Sequence, residues 1–111
     1  MAVTYKVLGQ VATATIGATT EGTLYTADNP AVVSSIVICN QAANAATYRI
    51  AVRPAADSTT AAKHWIVYGT TVAASDTTVI TMGLTLAAGD KIQVFGSSAT
   101  LSFSAYGSEI S

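Results

Sequence analysis

Residues Ala31 to Pro54, AVVSSIVICNQAANAATYRIAVRP, decide how this chain is read. Val32 to Cys39 is almost wholly apolar and β-branched. A polar break, Asn40-Gln41-Ala42-Ala43-Asn44, leads into a segment in which Tyr48, Ile50 and Val52 alternate with Thr47, Arg49 and Arg53. Runs of this length and composition are strands. A strand apolar on both faces is covered on both, whereas an alternating one shows a face to water or to a partner. The two runs therefore read as a β-hairpin, a central strand followed by its neighbour. It ends at Pro54, which has no amide hydrogen to give to a ladder.

The same two-residue period recurs on either side. Val3 to Val11 carries Val3, Tyr5 and Val7 on one parity and ends as a strand near Gln10, with residues 1–6 as an extended, flexible lead. Thr23 to Thr26 is a short strand closed by the turn Asp28-Asn29-Pro30. Ala55 to Ala62 is a polar, small-residue loop, the most mobile expected in the chain, with room for one helical turn. Lys63 to Thr71 is aromatic and β-branched enough for a strand, with Trp65 and Val67 on one face and His64, Ile66 and Tyr68 on the other. Thr77 to Thr81, Lys91 to Phe95 and the run Leu101, Phe103, Ala105 complete the alternation. Turn signals recur roughly every ten residues and no segment keeps a 3.6-residue period.

The expected architecture is all-β. It is a single-domain antiparallel β-sandwich over residues 1–111, jelly-roll-like, with about eight strands. Strand lengths do not separate jelly-roll from immunoglobulin-like connections. The expected core is Val33, Ile36, Val37, Ile38, Ile50, Val52, Val79, Ile92, Val94, Leu101 and Phe103.

Composition narrows the function. Half of the 111 residues are hydrophobic and only 10% are charged, against about 25% charged in an ordinary soluble domain. Thr, Ser, Ala and Gly stand where Lys and Glu usually do. Such a surface carries little repulsion between copies and suits an assembly. Net charge is −1, and Lys6, Arg49, Arg53, Lys63 and Lys91 are spread along the chain, so the basic stripe of a nucleic-acid binder is missing. No run of about 18 apolar residues offers a membrane helix, and no signal-peptide pattern opens the chain. The single cysteine, Cys39, sits in the most apolar run and reads as a small buried hydrophobe.

No constellation carries chemistry. His64 is the one histidine, and with Asp57, Asp76 or Cys39 it lacks the short fixed spacing of a metal site and the defined nucleophile of a triad. It reads as structural. The carboxylates fall mostly in turns, where they cap backbone amides, and the glycines form no phosphate loop. Neither catalytic residues, a metal nor a cofactor is expected. The residues best placed to meet a partner are Arg49 and Arg53, which share a parity on their strand, with Asp57, Lys63 and His64 beside them. Trp65, Tyr68, Tyr48 and Tyr106 compose a candidate aromatic platform for a sugar.

SSIVICNQAANAATYRIAVRPA (34–55), together with residues 63–111, resembles a family of small tailed-phage virion proteins familiar from phages of aquatic bacteria, cyanobacteria included. The most specific pieces are Arg49 to Pro54, Lys63-His64, Leu86 to Asp90 and Leu101 to Glu109. The resemblance implies a place in the virion and no reaction, hence no enzyme. The expected role is a capsid decoration (cement) protein, a homotrimer made in the bacterial cytoplasm that binds the major capsid protein lattice and stabilises the shell. Neither nucleic acid nor membrane is an expected partner. The alternatives are a tail, baseplate or fibre-associated module, and a carbohydrate-binding module using Trp65 and the tyrosines.

Overall fold

Strands with an apolar residue at every second position need a second layer to cover that side, and this chain supplies it with two four-stranded sheets. A computed structural model describes residues 2–111. The elements are β1 (Val3–Ala12), a helical turn α1 (Thr13–Ile16), β2 (Gly22–Thr26), β3 (Ala31–Asn40), β4 (Ala46–Arg53), a 3-10 turn (Ala62–His64), β5 (Trp65–Val72), β6 (Thr77–Leu86), β7 (Lys91–Gly96) and β8 (Leu101–Ile110). Sheet I has the order β1-β8-β3-β6 and sheet II the order β2-β7-β4-β5. Every pairing is antiparallel. The β-sandwich with eight strands is as expected from sequence, and the strand order makes it a jelly roll.

The order also corrects the reading of Ala31 to Pro54. Those residues do form two strands, each central in its sheet, but β3 belongs to sheet I and β4 to sheet II, so they are no hairpin. Asn40 is the cause. Its side chain is buried at the end of β3. Its Nδ2 donates to the carbonyls of Asn44 (2.9 Å) and Ala73 (3.2 Å). Its Oδ1 accepts from the Ala42 amide and the Thr100 hydroxyl, both at 3.1 Å. A buried amide with all these partners ties three chain reversals together and turns the chain from one sheet to the other. The hairpin that does form joins β4 to β5.

The core lies between the sheets, where Val33, Ile36, Ile38, Ile50, Ile92, Val94, Leu101 and Phe103 are buried as expected. Each contributes about 1.5–3 kcal/mol by leaving water. Tyr48 joins them, edge-on to Phe103 at 6.3 Å between ring centroids. Val52 packs against this core half-buried. Val37 and Val79 do not belong to it: they face each other across β3 and β6 on the outside of sheet I, where Val79 is 58% exposed. Cys39 shares that face, half-exposed rather than buried. One face of β3 is covered where both were expected, because apolar composition records what a residue tolerates and not which layer arrives to cover it.

The expected flexible lead is likewise an edge strand. β1 pairs with β8 from Val3↔Ile110 onward, and Ala2 and Ser111 exchange both backbone hydrogen bonds. Met1 lies outside the described residues. Where β1 crosses β2 the layers close, and Gly9 is required there because a Cβ would run into the Leu24 carbonyl.

Candidate docking surfaces

The core fills the space between the two sheets, and the candidate surfaces for docking are their outer faces. Cross-strand partners in a sheet share a face, so the register assigns each side chain.

On sheet II, Arg49 stands directly between Tyr68 of β5 and Phe95 of β7. Its guanidinium carbon lies 4.1 Å from the Tyr68 ring centroid, 4.4 Å from that of Phe95 and 5.9 Å from that of Trp65. Trp65 and Tyr68 meet edge to face at 5.6 Å. The two were expected on opposite faces of β5. A bulge brings them together, because Ile50 pairs with Val67 but Ala51 pairs with Trp65, leaving Ile66 as the extra residue. Tyr68 is 63% exposed and Ile66 also faces water. Among the described residues no carboxylate lies within ion-pair distance of Arg49, so its charge is oriented by three rings and left unspent.

Arg53, four residues along on the same face, is engaged by the chain itself. Its Nη1 donates to Thr60 Oγ1 (3.3 Å) and lies 3.7 Å from Glu21 Oε2. The same Glu21 oxygen accepts from Thr60 (2.6 Å) and from the buried Gln93 (2.8 Å), whose Oε1 accepts from Thr23. This network straps the loop 54–64 across sheet II. The loop is further held by His64: its Nδ1 accepts from the Ala61 amide at 2.8 Å, which leaves Nε2 to donate to Asp57 Oδ2, also at 2.8 Å. That bond, with the charges of Lys63 and Arg53 nearby, holds the Asp57 carboxyl below its ordinary range. The loop expected to be the most mobile is thus pinned at both ends. Of the five candidate contact residues, Arg53, Asp57 and His64 serve the loop, Lys63 lies exposed 3.9 Å from Asp57, and Arg49 is held by rings with no carboxylate beside it among the described residues.

Lys91 is the cross-strand partner of Arg53. This side of the molecule therefore gathers Arg49, Arg53, Lys63 and Lys91 against Glu21, Asp57 and Asp90, whose Oδ1 accepts from the Ala55 amide of the same loop at 2.9 Å, four cations to three carboxylates.

Sheet I presents the opposite surface. One cross-strand row is Tyr5, Ser108, Val32 and Thr85; the next is Val7, Tyr106, Ser35 and Thr81. Beyond them come Gln10, Ser104, Val37 and Val79, then Ala12, Ser102, Cys39 and Thr77. None of these is charged. Lys6 and Glu109 have the opposite parity. They pair with each other at 2.8 Å at the end of the sandwich, where Tyr25 donates to Glu109 across the layers at 2.5 Å. Those two bonds lower the Glu109 carboxyl, while burial and then Glu109 itself raise the Tyr25 hydroxyl well above its usual range. A shallow groove of about 470 Å3 runs between Tyr5, Val32, Ser34 and Tyr106, with Lys6 at its rim.

The four aromatics proposed as one platform are divided: Trp65 and Tyr68 on sheet II, Tyr106 on sheet I and Tyr48 in the core. Phe95, which sequence reasoning did not select, takes the place of the missing members. Only the strand pairing reveals it. Among the described residues no three His, Cys, Asp or Glu side chains converge as a metal site.

No family model matches the sequence, and no curated protein does. Among solved structures, a chain of the T13 viral particle of infectious bursal disease virus aligns with a TM-score of 0.56 at 12% identity, over 96% of this chain and 30% of that one. A chain from the structure of the Gx strain of the same virus gives 0.54 at 12% identity, over 96% and 32%. This chain spans about a third of those it matches. At such identity the likeness is one of fold.

Proposed function

We propose that this protein is a structural component of a virion: a capsid decoration protein that binds the major capsid protein lattice and reinforces the shell without catalysing a reaction. The observation that carries the reading is that the whole jelly roll, 96% of the chain, has a counterpart within a chain of a virus particle. The resemblance of residues 34–55 and 63–111 to small tailed-phage virion proteins supports the phage assignment, with a homotrimer as the working assembly. A low-charge sandwich with bare strand edges also needs covering if it is not to aggregate.

Sheet II offers the surface for the lattice. Arg49, ringed by Tyr68, Trp65 and Phe95, has the composition of an interface anchor, a cation in a bed of aromatic area. The excess of cations around it fits an acidic patch on the capsid protein. Each copy buries modest area, and many copies reinforce the shell by multivalent contact.

Labelling intact virions with an antibody fragment raised against the chain, viewed by cryo-electron microscopy, tests the reading. Label spread over the icosahedral shell is expected. Label confined to the tail would replace decoration by a tail or baseplate role, and unlabelled particles would overturn the virion assignment. Virions lacking the protein should assemble and then lose tolerance to heat or osmotic shock.

A further inference from the structure

We infer that the outer face of sheet I is where one copy of this chain packs against another. Exposed large hydrophobic side chains number six among the described residues, and four of them, Val3, Tyr5, Val7 and Val79, belong to this face. Tyr5 is 84% exposed. A solvated face of a small antiparallel sheet ordinarily alternates into Lys, Glu and Arg; the cross-strand rows of this one offer only aliphatic, aromatic, hydroxyl and amide groups, with Cys39 among them, and the one ammonium at its groove, that of Lys6, is paired with Glu109.

Size and charge select the occupant. Four strands about 4.8 Å apart and roughly ten residues long at about 3.3 Å each cover on the order of 600 Å2 in projection. That approaches the roughly 800 Å2 per partner of a standard stable interface. Homodimer interfaces are the apolar class, poor in charge at their centre. A foreign protein would find no electrostatic address here, whereas a second copy meets no like charge, because every carboxylate and ammonium of this end is turned to the other parity or paired, as Lys6 is with Glu109. The groove beside Tyr106 has room for the exposed Tyr5 ring of a neighbouring copy. A two-fold pair and the proposed trimer both use this face. It depends on the virion reading only for the larger lattice, since the contact forms between purified chains.

Sedimentation velocity on the purified full chain, up to about 0.1 mM, tests it together with two double variants, Tyr5→Glu/Val79→Glu and Tyr5→Lys/Val79→Lys. Both positions are solvent-facing, so the fold survives, as an unchanged circular dichroism spectrum will confirm. The wild type should associate. Each double variant should weaken association by on the order of 100-fold, because like charges then face each other across a dry contact. An equimolar mixture of the two should recover it at low salt. Tyr68→Glu, on the other sheet, should leave it unchanged. A wild type that stays monomeric, double variants that associate as the wild type does, or a mixture that fails to recover would each overturn the inference. None of these outcomes bears on whether virions carry the protein, which the label decides separately.

Discussion

The outer faces of the two sheets rest on one core and are built by opposite means. Sheet II is finished by its own chain: the loop 54–64 lies across it, and Arg53, Glu21, Gln93 and Thr60 satisfy one another. Sheet I is left bare, four strands of Val, Tyr, Ser and Thr with nothing folded over them. The difference shows that an outer face can be completed within a chain or between chains, and that charge placement tells which. Where ions are present and paired, the face is solvated and selective. Where they are missing, the face awaits an apolar cover.

The largest expected effect falls on what the two faces share. Ile50→Ala should cost about 2–5 kcal/mol, read as a lowered midpoint in denaturant, and should impair both sheets together. Next comes the strap over sheet II. Glu21→Ala leaves the buried Gln93 amide and the Thr60 hydroxyl without their acceptor and should destabilise by about 1–3 kcal/mol. Its counterpart on sheet I, any single hydroxyl-to-Ala change among Ser102, Ser104 and Ser108, should do far less. If both cost the same, the contrast between the faces is wrong. Arg49→Leu removes the cation from between its rings and should cost about 1 kcal/mol in stability, while removing most of the affinity for virions that lack the native protein, measured by co-sedimentation.

Acid acts on both ends at once. Asp57 and Glu109 both titrate below their ordinary values when folded, the first held by His64 and the second by Lys6 and then Tyr25. A carboxyl with a depressed folded pKa stabilises above its unfolded value of about 4 and loses that contribution as pH falls through the folded one. Thermal midpoints should therefore fall below about pH 4, and Glu109→Gln should reduce that fall. Tyr25 has the opposite sign: its raised hydroxyl contributes fully below about pH 10 and less as pH rises beyond it. The smallest effect belongs to Val79→Thr, expected within about 0.5 kcal/mol for dilute, monomeric chain.

Strand existence was legible from residues alone, because alternation and turn chemistry are local. The places where reading failed were those set by partners far off in sequence. Asn40 to Asn44 has the composition of a hairpin turn, and only the burial of Asn40 against Ala73 and Thr100 makes it a corner. Val37 and Val79 look like core residues because a β-branched apolar side chain fits a pleated surface equally well when the covering layer is another molecule. Of the candidate contacts, the parity of Arg49 and Arg53 was correct. Their division into an available and an occupied arginine depended on Glu21 and Thr60, at separations no local pattern encodes. Phe95 was missed for the same reason, as it meets Arg49 only through strand pairing.

The most direct test of this account is a cryo-electron microscopy map of the intact virion at side-chain resolution. Arg49 and its rings should lie against an acidic surface of the major capsid protein, with the outer face of sheet I buried on another copy of this chain. A map in which sheet I lies on the capsid protein and Arg49 faces solvent would contradict it.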